Sequence, residues 1–129
     1  MTAVVLDASA VLALLLGEAG AAKVAGVLTG SQMSAANYAE VFTHYAKLGS
    51  SKVEIEDVIG ALPIAIIPLD DELAKAAGML RPLTIEAGLS LGDRCCLALA
   101  KRSGLPAWTA DKQWKSVAAA VGVKVTLIR

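Results

Sequence analysis

Short runs of strand length recur along this chain, and each is followed almost at once by a run of helical character. Residues 3–6 (AVVL) lead into 8–16, QMSA into NYAEVFTHYAKLG, residues 64–69 (IAIIPL) into DDELAKAAGML, and PAWTA into DKQWKSVAAAVG, with VKVTLI last. AVVL is apolar and β-branched, as a strand covered on both faces is, and strands alternating with helices need crossovers that leave the strands parallel. The pattern predicts an α/β fold, a doubly wound parallel sheet flanked by helices. Three more helices are expected. GEAGAAKVAGVLTG ends near Gly30, SSKVEIEDVIGAL opens on a serine cap, and LSLGDRCCLALAKRSG stops at Gly104. Residues 81–89 read as a loop, because Pro82 disfavours a helical residue ahead of it.

A chain of 129 residues with no repeat, linker or low-complexity tract reads as one domain, 1–129. Its apolar share of 56% exceeds the ~45–50% usual for soluble proteins, which calls for a partner or a self-association face. Twelve basic and twelve acidic residues cancel, so overall charge draws the chain neither to nucleic acid nor to an anionic membrane. The adjacent Cys95 and Cys96 suit neither a structural disulfide nor a C-x-x-C site; reduced, buried thiols and a cytoplasmic location are expected. The N-terminal stretch lacks the basic region of a secretion signal, and Asp7 interrupts it. The apolar run 8–16 falls far short of the ~20 residues that span a bilayer, so no membrane contact is expected.

Four acids stand out against this background. In a doubly wound sheet, ligands bind beyond the carboxyl ends of the strands, where strand-to-helix turns gather. Asp7 ends the first strand, Asp111 follows AWT, Glu40 lies in the first turns of the helix after QMSA, and Asp93 in the first turn of the GDRCC helix. All four have apolar neighbours in sequence, whereas Glu54, Glu56, Asp57, Asp71 and Glu72 lie in charged clusters. Each of the four also has a structural explanation. Asp7 and Asp111 can be N-caps, while Ser90 with Asp93 and Asn37 with Glu40 have capping-box spacing. A negative charge at a helix N-terminus gains roughly 0.3–1 kcal/mol from the macrodipole.

Carboxylates that approach within a few ångströms repel, and their pKa values rise unless a cation neutralises them. An oxygen-only donor set favours a hard cation, Mg²⁺ or Mn²⁺, over zinc. Such ions activate water and brace the oxygens of an in-line phosphoryl displacement. That chemistry needs no histidine, and His44, the only one, reads as an ordinary helix residue. Ser9 and Thr109 stand two residues from Asp7 and Asp111, where hydroxyls orient carboxylates or metal-bound water; ordinary turn hydrogen bonds are the alternative.

VVLDASA, NYAEV, LSLGDRCCLALA and TADKQW, in this order over nearly the whole chain, resemble the motifs of the PIN-domain ribonucleases, specifically the VapC-type toxins of type II toxin–antitoxin pairs. The resemblance implies a PIN-like αβα sandwich and a metal-dependent endoribonuclease. Asp7, Glu40, Asp93 and Asp111 would hold Mg²⁺ or Mn²⁺ and hydrolyse RNA to a 5′-phosphate and a 3′-hydroxyl, with Thr109 supporting the site. It further implies a homodimer silenced by a cognate VapB-type antitoxin, whose C-terminal segment occupies the active-site groove. Neutral net charge departs from what RNA binding suggests, so local basic residues are assigned that role. Arg94, Lys101, Arg102, Lys112 and Lys115 lie beside the acids in sequence, with Arg94 and Lys112 favoured, while Lys101 and Lys115 fit a solvated helix face as well. Such phosphate contacts position RNA without reading its bases. With 2 Trp, 2 Tyr and 1 Phe, extensive base stacking is not supported, and Trp114 reads as core.

Two other readings share the architecture. A receiver-like signalling domain would be phosphorylated on an acid such as Asp70 after IAIIPL, but its first strand ends in two adjacent acids where this one ends in Asp7 alone. A catalytically silent PIN scaffold would have no need of the four acids. An aspartate-nucleophile phosphatase would want an acid at Ser9, and no nucleotide-binding glycine loop occurs.

Overall fold

The computed structural model describes residues 2–129. Five strands form one all-parallel sheet: β1 (Val5–Leu6), β2 (Gln32–Ser34), β3 (Ala65–Ile67), β4 (Ala107–Thr109) and β5 (Val125–Leu127). Their order is β3-β2-β1-β4-β5, with Val5 opposite Gln32 on one side and Ala107 on the other. The chain builds outward from β1 to β3 and then returns to the far side of β1 for β4. The order thus reverses between β1 and β4, where an open α/β sheet leaves a crevice beyond its strand ends. Flavodoxin-like sheets, receiver domains among them, run 2-1-3-4-5 instead. Here β3 is an edge strand, and the Asp70 that follows it caps a helix and pairs with Arg102 at 2.8 Å on the surface. That removes the phosphoacceptor of the receiver-like reading from the crevice.

Alternation along the strands assigns the two cores. Val4 and Leu6 pack on one face with Ala10 and Val11 of α1 (Ala8–Leu16), Val24 of α2 (Ala21–Ala25), Val41 of α3 (Ala35–Lys47) and Ile59 of α4 (Lys52–Gly60). Val5, Ala107 and Val125 pack on the other with Leu73 of α5 (Asp71–Met79) and Leu97 and Leu99 of α7 (Leu91–Ser103). Trp114, in a 3-10 segment (Lys112–Ser116), and Val121 of α8 (Ala118–Val121) complete that face. Trp114 is core, as expected, and both cysteines are buried free thiols. Among the described residues no helix is long and apolar enough to cross a membrane.

Local departures from the expected elements have local causes. α2 stops at Ala25 and not near Gly30, because it has no side-chain cap and buries only Val24, too little to hold further turns. Residues 81–84 form one more helical turn, α6 (Arg81–Thr84), with Pro82 in the first turn where its missing N–H is not needed. The segment after Asp111 tightens into a 3-10 turn, since Trp114 and Val117, three residues apart, enter the same core. α3 begins at Ala35 with Ser34 as its cap, two residues before Asn37.

The core assignment carries a direct expectation. Leu97→Ala, at a fully buried position, should lower unfolding free energy in urea by about 2–5 kcal/mol. Val53→Ala, at an exposed one, should stay within about 0.5 kcal/mol of the unsubstituted protein.

Candidate functional site

Asp7 leaves β1 alongside β4, its backbone N–H bonded to the Trp108 carbonyl at 3.1 Å. It caps α1: Oδ1 accepts from the Ala10 N–H at 2.8 Å and from the Ser9 hydroxyl at 2.7 Å, while Oδ2 accepts from Thr109 Oγ1. The same hydroxyls accept in turn, Ser9 Oγ from the Ala110 N–H at 2.9 Å and Thr109 Oγ1 from the Asp111 N–H at 3.0 Å. Ser9 and Thr109 therefore lock the ends of β1 and β4 around one carboxylate. Asp7 is only 4% exposed. Burial pushes its carboxyl up to about 6, against the downward pull of the Thr109, Ala10 and Ser9 hydrogen bonds, and the charge of Asp93 adds to the rise.

Asp93 sits at the third position of α7, where the expected capping box forms. Its N–H donates to Ser90 Oγ at 3.2 Å, and its Oδ2 accepts from the Ser90 N–H at 2.9 Å. Burial raises this carboxyl too, the Ser90 hydrogen bonds oppose the rise, and Asp111 adds to it. Asp111 caps the 3-10 segment, Oδ1 accepting from the Gln113 N–H at 2.9 Å. Glu40 departs from expectation. With α3 capped by Ser34, the Asn37–Glu40 capping box does not form; Asn37 lies inside the helix and donates from Nδ2 to Glu40 Oε1 at 2.6 Å.

All four acids line one open cleft of about 490 Å³, with Ser9 and Asn37 beside them. Asp7 is buried, Asp93 half-buried, and Glu40 and Asp111 are exposed. Thr109 is buried behind Asp7 and does not itself line the cleft. Among the described residues no three acidic, histidine or cysteine side chains gather closely enough to hold one ion together. The carboxylates are spread around the cleft and do not form a closed cage.

Neither basic residue singled out beside the acids lines this cleft. Arg94 donates from Nη1 to the Ala77 carbonyl at 3.0 Å, and Lys112 is exposed on the 3-10 segment outside it. Lys115 donates to the Val125 carbonyl, while Lys101 and Arg102 flank a separate groove between α5 and α7. The cleft instead receives Thr43, His44 and Lys47 from α3. They stand three, four and seven residues beyond Glu40, the spacing of one helix face, so a signal for them was present in the sequence.

A family model for the PIN domain matches residues 4–120. The chain belongs to the PIN-domain family. No curated protein matches it in sequence. Among solved structures, this PIN domain is similar to a toxin–antitoxin complex from Klebsiella pneumoniae, at 19% identity over 98% of both chains with a TM-score of 0.74. It is similar to VapC20 of Mycobacterium tuberculosis, a sarcin–ricin loop cleaving toxin, at 16% identity over 88% of this chain and 94% of that one, TM-score 0.72. It is also similar to FitAcB of Neisseria gonorrhoeae, at 22% identity over 95% of both chains, TM-score 0.72.

The buried Asp7 of the PIN domain should leave a pH signature on stability. The folded protein holds this proton up to about pH 6, and the unfolded chain only to about 3.8, so stability falls as pH rises through that window. At about 1.4 kcal/mol per pH unit, the loss reaches on the order of 3 kcal/mol at neutral pH. Asparagine preserves the cap without the charge. In EDTA at pH 8, Asp7→Asn should therefore melt several degrees above the unsubstituted protein, with the gap narrowing below pH 5. A gap that does not change with pH would contradict this origin.

Proposed function

We propose that this PIN domain is the toxin of a type II toxin–antitoxin pair, a VapC-type endoribonuclease that hydrolyses RNA phosphodiester bonds with Mg²⁺ or Mn²⁺ at the Asp7, Glu40, Asp93 and Asp111 cleft. One observation carries the reading: four carboxylates from four separate segments line one cleft at the switch point of the sheet. Capping alone does not account for that convergence. Glu40 caps nothing, and the acids with purely surface roles, such as Glu54 and Asp71, stay outside the cleft. Support for the toxin reading comes from structures of the same fold that include a sarcin–ricin loop cleaving toxin and toxin–antitoxin complexes, one of them bound to a promoter DNA fragment.

The donor set suits a hard cation, because every cleft acid offers oxygen and two of them sit in surroundings that disfavour their own charge. Spread around the cleft, they would suit an ion that takes one or two carboxylates directly and keeps several waters, as Mg²⁺ does. When bound, such an ion neutralises charge on the transferring phosphoryl group and acidifies a water for attack. The chain's own residues prepare the place. Ser9 and Thr109 fix the Asp7 carboxylate between them, while the capping contacts of Asp93 and Asp111 engage one oxygen each and leave the second without a partner among the described residues.

On the α3 side of the cleft, Lys47 is a cation available to RNA phosphates, with the His44 ring beside it, and Lys112, exposed outside the cleft and next to Asp111 in sequence, is a second candidate. A cognate VapB-type antitoxin, its C-terminal segment in this cleft, and a second copy of the chain are the partners this reading implies. Exposed apolar side chains such as Leu48, Met79, Ile85 and Leu91 supply area for them.

Two experiments test the reading. Asp93→Asn keeps an oxygen to accept the Ser90 N–H but removes the charge. Purified antitoxin-free protein should cut total cellular RNA with Mg²⁺ or Mn²⁺ and not with EDTA, and Asp93→Asn should lose that cleavage at an unchanged melting temperature. A variant that cuts as well as its parent would reduce Asp93 to a cap. For the RNA path, Lys47→Gln should weaken binding of single-stranded RNA and shrink the slope of log K against log salt by about 0.7. An unchanged slope places Lys47 off the path.

A further inference from the structure

Asn37 is 1% exposed, and the two groups its amide nitrogen reaches are both acceptors: Glu40 Oε1 at 2.6 Å and the Gly92 carbonyl at 3.1 Å. That settles which way the amide faces, since the flipped form would set an oxygen against two oxygens. Its own Oδ1 has no hydrogen-bond partner among the described residues, so the side chain's polar contacts all run through its nitrogen. Gly92 adjoins the same carboxylate. A Cβ built on Gly92 would lie 2.6 Å from Glu40 Oε1 and 2.8 Å from both Cδ and Oε2. The backbone of Gly92 is ordinary helix, so the glycine is needed for clearance and not for its conformation.

These two observations meet at one place. Glu40 is an exposed side chain on α3 with three rotatable bonds, free by itself to sample many positions. Gly92 belongs to the first turn of α7, one residue before Asp93. We propose that Asn37 and Gly92 together form a seat for the Glu40 carboxylate, holding it against the first turn of α7 and so setting its position relative to Asp93. Asn37 supplies the charge-assisted hydrogen bond, and Gly92 supplies the space. Both are positioning residues that act through Glu40. The inference rests on the proposed function, since it concerns how one ligand of the proposed ion is placed.

The test is Mn²⁺ binding by the full-length, antitoxin-free chain, followed by the electron paramagnetic resonance signal of free Mn²⁺. Gly92→Ala is the primary variant. Alanine is favourable in a helix, and the atoms it would meet are the far end of a flexible side chain, so the carboxylate moves and the fold stays. The unsubstituted protein should bind Mn²⁺ saturably, and Gly92→Ala should bind on the order of 10-fold more weakly, with its melting temperature within a few degrees. Asn37→Asp, which presents an acceptor where a donor is needed, should show a similar loss. In RNA cleavage, Gly92→Ala should lower kcat and leave KM nearly unchanged. The decisive comparison uses Glu40→Asp, whose shorter carboxylate withdraws from Gly92. In that background, Gly92→Ala should change Mn²⁺ affinity less than twofold. The seat is overturned if Gly92→Ala binds Mn²⁺ like its parent, or if it weakens binding equally in both backgrounds. Absence of Mn²⁺ binding by the unsubstituted protein overturns the metal site itself and the seat with it.

Discussion

The carboxylate of Asp7 is where the two halves of the sheet are fastened together. β1 and β4 are far apart in sequence, and beyond their last paired residues the Asp7 N–H to Trp108 carbonyl bond is joined by contacts through this side chain and the Ser9 and Thr109 hydroxyls. Three donors to one buried carboxylate hold it in a single position, yet they do not offset its desolvation, and its pKa stays high. A fold built for stability alone would place a neutral cap here. A charge kept where it is unfavourable, at the reversal point of a parallel sheet, is the kind of strain that accompanies a binding site.

Capping and ligand placement are not rivals in this architecture. In a parallel sheet every strand that ends at the crevice is followed by a helix that begins there, so helix N-termini and their positive dipole ends collect on one side. Acids drawn to cap those helices are drawn to one another by the same geometry. Asp7, Asp93 and Asp111 each satisfy a backbone N–H and face the same cleft. Glu40 is the informative exception. It lies within α3, serves no helix end, and is held by a buried amide and a bare glycine backbone.

Much of this was legible in the sequence. Strand–helix alternation gave the parallel sheet, and the four acids were marked by their apolar neighbours. What was not legible arises where two elements meet. The Asn37–Glu40 pair has capping-box spacing, but Ser34 is an equally good cap and begins the helix earlier, turning Asn37 inward. Arg94 adjoins Asp93 in sequence, yet one residue on a helix is a rotation of about 100°, which carries the guanidinium to α5 and away from the cleft. Conversely, Lys47 is seven residues from Glu40 and on the same face. The reason for Gly92 lies in another helix altogether, and no local pattern encodes it.

The proposed role of the four cleft carboxylates is to hold a divalent cation. Its most direct test is an anomalous difference map from crystals of the protein grown with saturating Mn²⁺ and measured at the manganese absorption edge. A peak in the cleft, within bonding distance of at least one of the four carboxylates and within reach of the others through water, is the expected result. A well-ordered crystal with no peak there, or with manganese only at other surfaces, would contradict it.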